Sequence, residues 1–181
     1  LIVQSSAPET AQTRVVFLGD SLTAGLGLET DEAFPALIEQ QLAGEGLPIT
    51  VVNAGVSGDT TAGGLRRLSW ILQQKPDVLV VCLGGNDGLR NLDVAASREN
   101  LRQIITQAKA AGAEVLLLGM MIPTNYGPEY GEQFAAMFPA LAEETGVPLV
   151  PFALEGVAGN PQLNQPDGIH PTAEGQEIIA S

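Results

Sequence analysis

The chain of 181 residues contains one histidine, His170. Any imidazole chemistry therefore falls to that side chain, and a metal site built on two or three imidazoles within one chain is excluded. His170 closes the stretch Asp167-Gly168-Ile169-His170 and is followed by Pro171. In a turn, the Asp167 carboxylate can reach one ring nitrogen, hold the ring's orientation and stabilise its protonated form. The second nitrogen is then free to take a proton from a hydroxyl. The hydroxyl best placed to need such a base is Ser21, in Gly19-Asp20-Ser21-Leu22-Thr23-Ala24-Gly25. A serine hydroxyl is a poor nucleophile until a base removes its proton, and flanking glycines leave the backbone free to expose it. Acyl transfer also needs donors aimed at a developing oxyanion. Gly58, in Ser57-Gly58-Asp59-Thr60, and Asn86, in Gly84-Gly85-Asn86-Asp87-Gly88, can supply them, together with the Ser21 backbone N–H. Each pattern alone has a plainer reading. Ser21 could cap a helix, His170 could sit on the surface, and Asn86-Asp87-Gly88 could be only a turn.

The elements that must position these residues alternate. Short β-branched runs at Arg14–Leu18, Ile49–Asn53, Asp77–Leu83, Glu114–Leu118 and Val147–Phe152 predict five strands. Between them, apolar residues at 3.6 spacing predict helices over Phe34–Ala43, Thr61–Leu72, Ala95–Ala111 and Tyr130–Thr145, with a last one from Thr172 onward. Gly112 and Gly146 are expected helix stops. This alternation implies a three-layer α/β/α fold around a five-stranded parallel sheet. In such sheets ligands lie beyond the carboxyl ends of the strands, and Ser21, Gly58 and Asn86 follow the first three strands. No repeat or linker divides the chain. Leu1–Thr13 reads as a flexible leader, without a complete signal peptide, and 14–181 as a single domain.

Composition narrows the partners. With 21 acidic and 8 basic residues the formal net charge is −13, which argues against nucleic acid and anionic membrane surfaces. The apolar run Val78–Leu83 is far too short to span a bilayer. A lone Cys82 inside that run is expected to be a buried core thiol.

The four motifs GDSLTAG, SGDTTAGG, GGNDGLR and DGIHP stand in the order and near the spacing of the SGNH (GDSL) hydrolases, which the chain resembles from about Val15 to Ile179. The likeness is strongest to the bacterial thioesterase I/lysophospholipase L1-type esterases and related arylesterases, to which Ile122–Gly127 and Val147–Phe152 are also similar. The resemblance implies the flavodoxin-like fold of that family, with Ser21 as nucleophile, His170 as general base and Asp167 orienting it. It further implies an oxyanion hole of Ser21 N–H, Gly58 N–H and the Asn86 side chain, no metal or organic cofactor, and a periplasmic or secreted location. No G-x-S-x-G elbow surrounds Ser21, unlike in the larger α/β-hydrolases.

The expected reaction is hydrolysis of acyl esters or thioesters, lysophospholipids among them, through an acyl-serine. The alternative is carbohydrate O-deacetylation. That reading is disfavoured by a single Trp, Trp70, placed within a helical pattern rather than a loop. Leu89, Met120, Met121, Ile122, Tyr126 and Phe152 are candidate acyl-chain contacts, with a core role as the competing reading. The partner is a small-molecule or lipid ester, and nothing in the sequence demands an oligomer.

Overall fold

The computed structural model describes residues 12–181. The leader expected over Leu1–Thr13 lies outside the described residues except at its end. Thr13 is already the first residue of strand β1 (Thr13–Gly19), and its N–H donates to Pro48 O at 2.8 Å. Strands β2 (Ile49–Gly55), β3 (Val78–Cys82), β4 (Glu114–Leu118) and β5 (Leu149–Val150) complete a sheet of order β2-β1-β3-β4-β5, parallel throughout. The fifth strand is shorter than its apolar run because Pro148 and Pro151 bracket it, and proline has no N–H for a ladder. The strand order reverses direction between β1 and β3, so their following loops part and leave a crevice there.

Helix α1 is a single turn (Ser21–Ala24), and α2 spans Phe34–Gly44 with Pro35 in its first turn, where its missing N–H costs nothing. Helix α3 (Thr61–Leu72) is capped by Thr60, whose hydroxyl accepts from Gly63 N–H, and α4 is the short Gly85–Leu89. Helices α5 (Val94–Ala110) and α6 (Pro128–Thr145) end as expected at residues of positive φ, Gly112 and Gly146. Helix α7 (Ala173–Ala180) is capped by Thr172. Helices α3, α5 and α6 pack side by side on one layer, and α2 packs on α7 in the other. No helix among the described residues is long and apolar enough to cross a membrane.

The core is continuous on both faces of the central strands. Val16, Leu18, Leu79, Val81 and Leu117 have no exposed surface, which explains why these strands read as unbroken apolar runs. Phe17 meets Phe34 edge to face at 5.5 Å between ring centroids, and Phe134 meets Phe138 likewise at 5.6 Å. Cys82 is buried, and burial pushes its thiol up to about 12. Gly55 marks the tightest packing near the site: a Cβ there would lie 2.4 Å from the Ala24 backbone nitrogen. The end of β2 thereby sits directly against α1, the turn that carries Ser21.

Candidate active site

Ser21 is the first residue of α1 rather than its cap. That role belongs to Asp20, whose carboxylate Oδ1 accepts from Leu22 N–H at 3.0 Å. The nucleophile candidate is thus held where a strand ends and a helical turn begins, with its hydroxyl at the crevice. His170 Nε2 lies 2.9 Å from Ser21 Oγ, and His170 Nδ1 lies 2.6 Å from Asp167 Oδ2. Asp167 Oδ1 also accepts the backbone N–H groups of Ile169 and His170, at 2.9 and 3.0 Å. The hydrogen bond from the His170 ring, aided by those two amides, holds the Asp167 carboxyl down to about 2. An ionised carboxylate can only accept, so the Nδ1 proton faces Asp167 and the Nε2 lone pair faces Ser21. The three side chains form one line for proton transfer. The His170 loop is fixed from below: Gln165 N–H donates to His170 O at 2.7 Å, and Gln165 Nε2 donates to Pro171 O and to Leu26 O.

Of the oxyanion candidates, Ser21 and Asn86 line the same cavity as His170, whereas Gly58 stands outside its lining, in the loop next to Asp59. Gly58 has φ +80° inside a turn closed by Asp59 N–H to Val56 O at 3.0 Å, a conformation that favours glycine. Arg90 Nη2 donates to Gly58 O at 2.9 Å and holds that turn in place. Asn86 stands in the first turn of α4. Both of its amide hydrogens are engaged, with Asp59 O at 2.9 Å and with Asp20 Oδ2 at 3.2 Å. To serve an oxyanion the amide must share or release one of these, and the longer bond, to Asp20, is the one to yield. Asp59 itself is fixed by Arg67, whose Nε donates to Asp59 Oδ2 at 2.7 Å. The other guanidinium nitrogens of Arg67 donate to Ala54 O and Gly19 O, tying the ends of β1 and β2 together.

Sequence reasoning left Asp20, Arg67 and Asp87 without roles. Asp87 is buried and forms no ion pair among the described residues; its carboxylate accepts from Thr61 N–H, Thr61 Oγ1 and Ser97 Oγ at 2.9, 2.6 and 2.9 Å. It therefore pins the helix that carries Asn86 to the N-terminus of α3 and to α5. The presence of an acid directly before Ser21 and directly after Asn86 was the available signal for Asp20 and Asp87.

A cavity of about 570 Å³ opens from Ser21 and His170. Its apolar wall includes Leu22, Leu89, Met120, Met121, Ile122, Phe152, Leu154 and Ile169. Met120 is at once core and cavity floor at 2% exposure, whereas Met121 is 54% exposed. Tyr126 does not line the cavity. The short 3₁₀ turn Thr124–Tyr126 points it behind the wall, where its hydroxyl donates to Leu89 O at 2.8 Å. Trp70 is exposed on α3 and takes no part in the cavity.

A parallel α/β/α sheet with a Ser–His–Asp line at its switch point defines an acyl hydrolase with a serine nucleophile as the class this molecule fits. Residues 17–178 match the model of the GDSL-like Lipase/Acylhydrolase family. The chain is 46% identical over 177 residues to Esterase TesA of Pseudomonas aeruginosa, covering 97% of this chain and 86% of that protein. It is 45% identical over 171 residues to thioesterase 1/protease 1/lysophospholipase L1 of Escherichia coli K12, covering 94% and 81%. The crystal structure of a TesA superimposes with a TM-score of 0.89 at 48% identity, covering 93% of this chain and 94% of that one. The chain belongs to the GDSL-like lipase/acylhydrolase family.

Proposed function

We propose that this chain is a serine esterase and thioesterase acting on medium- and long-chain acyl esters, lysophospholipids included. The observation that carries the reading is the line from Asp167 through His170 to Ser21, opening into an apolar cavity of about 570 Å³. His170 Nε2 takes the Ser21 proton as Oγ bonds to the acyl carbon. The carbonyl oxygen gains the negative charge and is met by the N–H groups of Ser21 and Gly58 and by the Asn86 amide. Collapse of this adduct expels the alcohol or thiol, which leaves with the proton from His170. Water, deprotonated by His170, then attacks the acyl-Ser21, and the acid departs as Oγ recovers its proton.

The apolar wall favours an acyl chain over an acetyl group on a sugar. The names of the two curated relatives, an esterase and a thioesterase/lysophospholipase, support the same choice. The reading places all chemistry in one domain, residues 14–181, acting as a monomer without a cofactor, and exported to the periplasm or beyond. The export assignment rests on the family resemblance alone, and cell fractionation of the source organism checks it. The decisive experiment is a panel of p-nitrophenyl esters from acetyl to palmitoyl, an acyl-CoA and a lysophospholipid, each run beside Ser21→Ala. Activity that peaks at medium or long chains and vanishes in the variant is expected. Activity confined to acetyl esters would replace the reading with a deacetylase.

A further inference from the structure

We propose that Asp20 is a positioning residue for catalysis: its carboxylate keeps the Asn86 side chain presenting N–H, not C=O, to the oxyanion, and surrenders its hydrogen bond as the oxyanion forms. The inference rests on the reading of Asn86 as an oxyanion donor. Asp20 is 1% exposed and stands directly before the nucleophile. One oxygen is committed to Leu22 N–H at 3.0 Å as the cap of α1, so the carboxylate cannot rotate away. That fixes the other oxygen against Asn86 Nδ2 at 3.2 Å, while Asp59 O holds the same nitrogen at 2.9 Å.

Both neighbours of the Asn86 nitrogen are pure acceptors while Asp20 is ionised. A flipped amide would set its own oxygen against two oxygens, so the amide keeps its N–H groups on the side of Asp20 and Asp59. Protonation of Asp20 removes one of the two restraints, because a carboxylic acid can donate to a flipped amide oxygen, and leaves only Asp59 O opposing the flip. Burial pushes the Asp20 carboxyl up to about 6, against the pull of Leu22 N–H, Asn86 and the His170 charge; Asp59 adds a push upward. The remaining titratable group packed against it is the Cys82 thiol, which stays protonated. Arg67, on α3, spends its charge on Asp59 and on the Gly19 carbonyl.

The test is steady-state kinetics with a short soluble p-nitrophenyl ester between pH 4 and 8, for the wild type, Asp20→Asn, Asn86→Ala and the double variant. An asparagine at 20 must turn a donor toward either Leu22 N–H or Asn86, so it breaks the restraint at constant size. Asp20→Asn is expected to lower kcat about 10- to 100-fold with KM little changed. In the Asn86→Ala background the same substitution is expected to have no further effect, because a coupled pair is not additive. Protonation of Asp20 is expected to add a downward step to the wild-type profile near pH 6. That step should be absent from the profiles of Asp20→Asn and Asn86→Ala. Independent, multiplying effects of the two substitutions overturn the proposal, as does a wild-type pH profile of the same shape as that of Asn86→Ala. If Asp20→Asn does not fold, the limbs of the wild type and Asn86→Ala still decide. Full activity in Ser21→Ala would instead sink the underlying site reading, which separates the two failures.

Discussion

His170 Nε2 stands 2.9 Å from Ser21 Oγ although 149 positions of chain separate them. The contact joins the end of the first strand to the loop before the last helix, and the sheet between them holds it. Ser21→Ala removes one oxygen from a site already formed, so thermal unfolding should change little. kcat should fall by about 10⁴ or more, the residue being the activity that oxyanion donors and binding alone sustain. Active-site labelling with a fluorophosphonate reports the same point: the wild type should take up one label at Ser21 and the variant none.

Asp167 matters through direction as well as charge. Asp167→Asn keeps the size but lets the amide donate to Nδ1, which drives the ring to the tautomer whose Nε2 carries the proton. kcat should drop about 10²- to 10⁴-fold at pH 8. Because the wild-type carboxyl is held down to about 2, its own protonation adds nothing to the acid limb above pH 4. A limb that tracks Asp167 in that range would show that the His170 bond is not made in solution.

Asp20 also sets a stability profile. Its pKa is raised in the fold from 3.8 to about 6, so the native state prefers the protonated carboxyl. The favourable contribution is complete below the unfolded value near 4 and is lost as pH rises through about 6. Asp20→Asn cannot ionise. Its stability relative to the wild type should therefore improve as pH is raised from 4 to 7, by on the order of 2–3 kcal/mol. Urea unfolding at the two pH values checks this. A relative stability of the variant that stays constant or worsens between the two pH values would contradict a buried ionised Asp20.

The cavity wall should govern chain length. Ile122 lines it and also packs against the core. Ile122→Ser removes apolar surface where an acyl chain would lie, and each lost methylene contact is worth roughly 10-fold in discrimination. kcat/KM for a decanoyl ester should fall about 10-fold, and that for acetyl should hold within about twofold. Equal losses for both esters, with a lowered melting point, would assign Ile122 to the core alone.

Tyr126→Phe deletes the hydroxyl that supports the Leu89 carbonyl behind that wall. A loss of about 1 kcal/mol in unfolding free energy is expected, the ordinary value of one such bond. Substrate ranking should hold, since the ring itself does not reach the cavity.

Much of this molecule could be read from residue types and spacing. The strands Arg14–Leu18 and Glu114–Leu118 and the helix Thr61–Leu72 stand where periodicity placed them, because each has a one-sided or fully buried apolar pattern that admits one solution. The meeting of Ser21, Asp167 and His170 was legible because the chain has a single imidazole, and because strand ends in a parallel sheet share one rim. Tyr126 was misread as a cavity contact: its position in the sequence locates it near the wall but not on which side. Asp20 and Asp87 carry no periodic signature at all. What they do depends on which backbone amides and hydroxyls the fold brings within 3 Å, as with Thr61 and Ser97 around Asp87.

The last helix is tied to the beginning of the chain by Gln176, which accepts from Phe34 N–H and donates to Leu22 O. Ser21 and His170 therefore meet only when the segment carrying Asp167 and His170 closes back over the end of the first strand. A chain whose sheet has formed but whose last helix has not docked holds the hydroxyl without the imidazole, so the proposed site is a product of the completed fold and of no single segment.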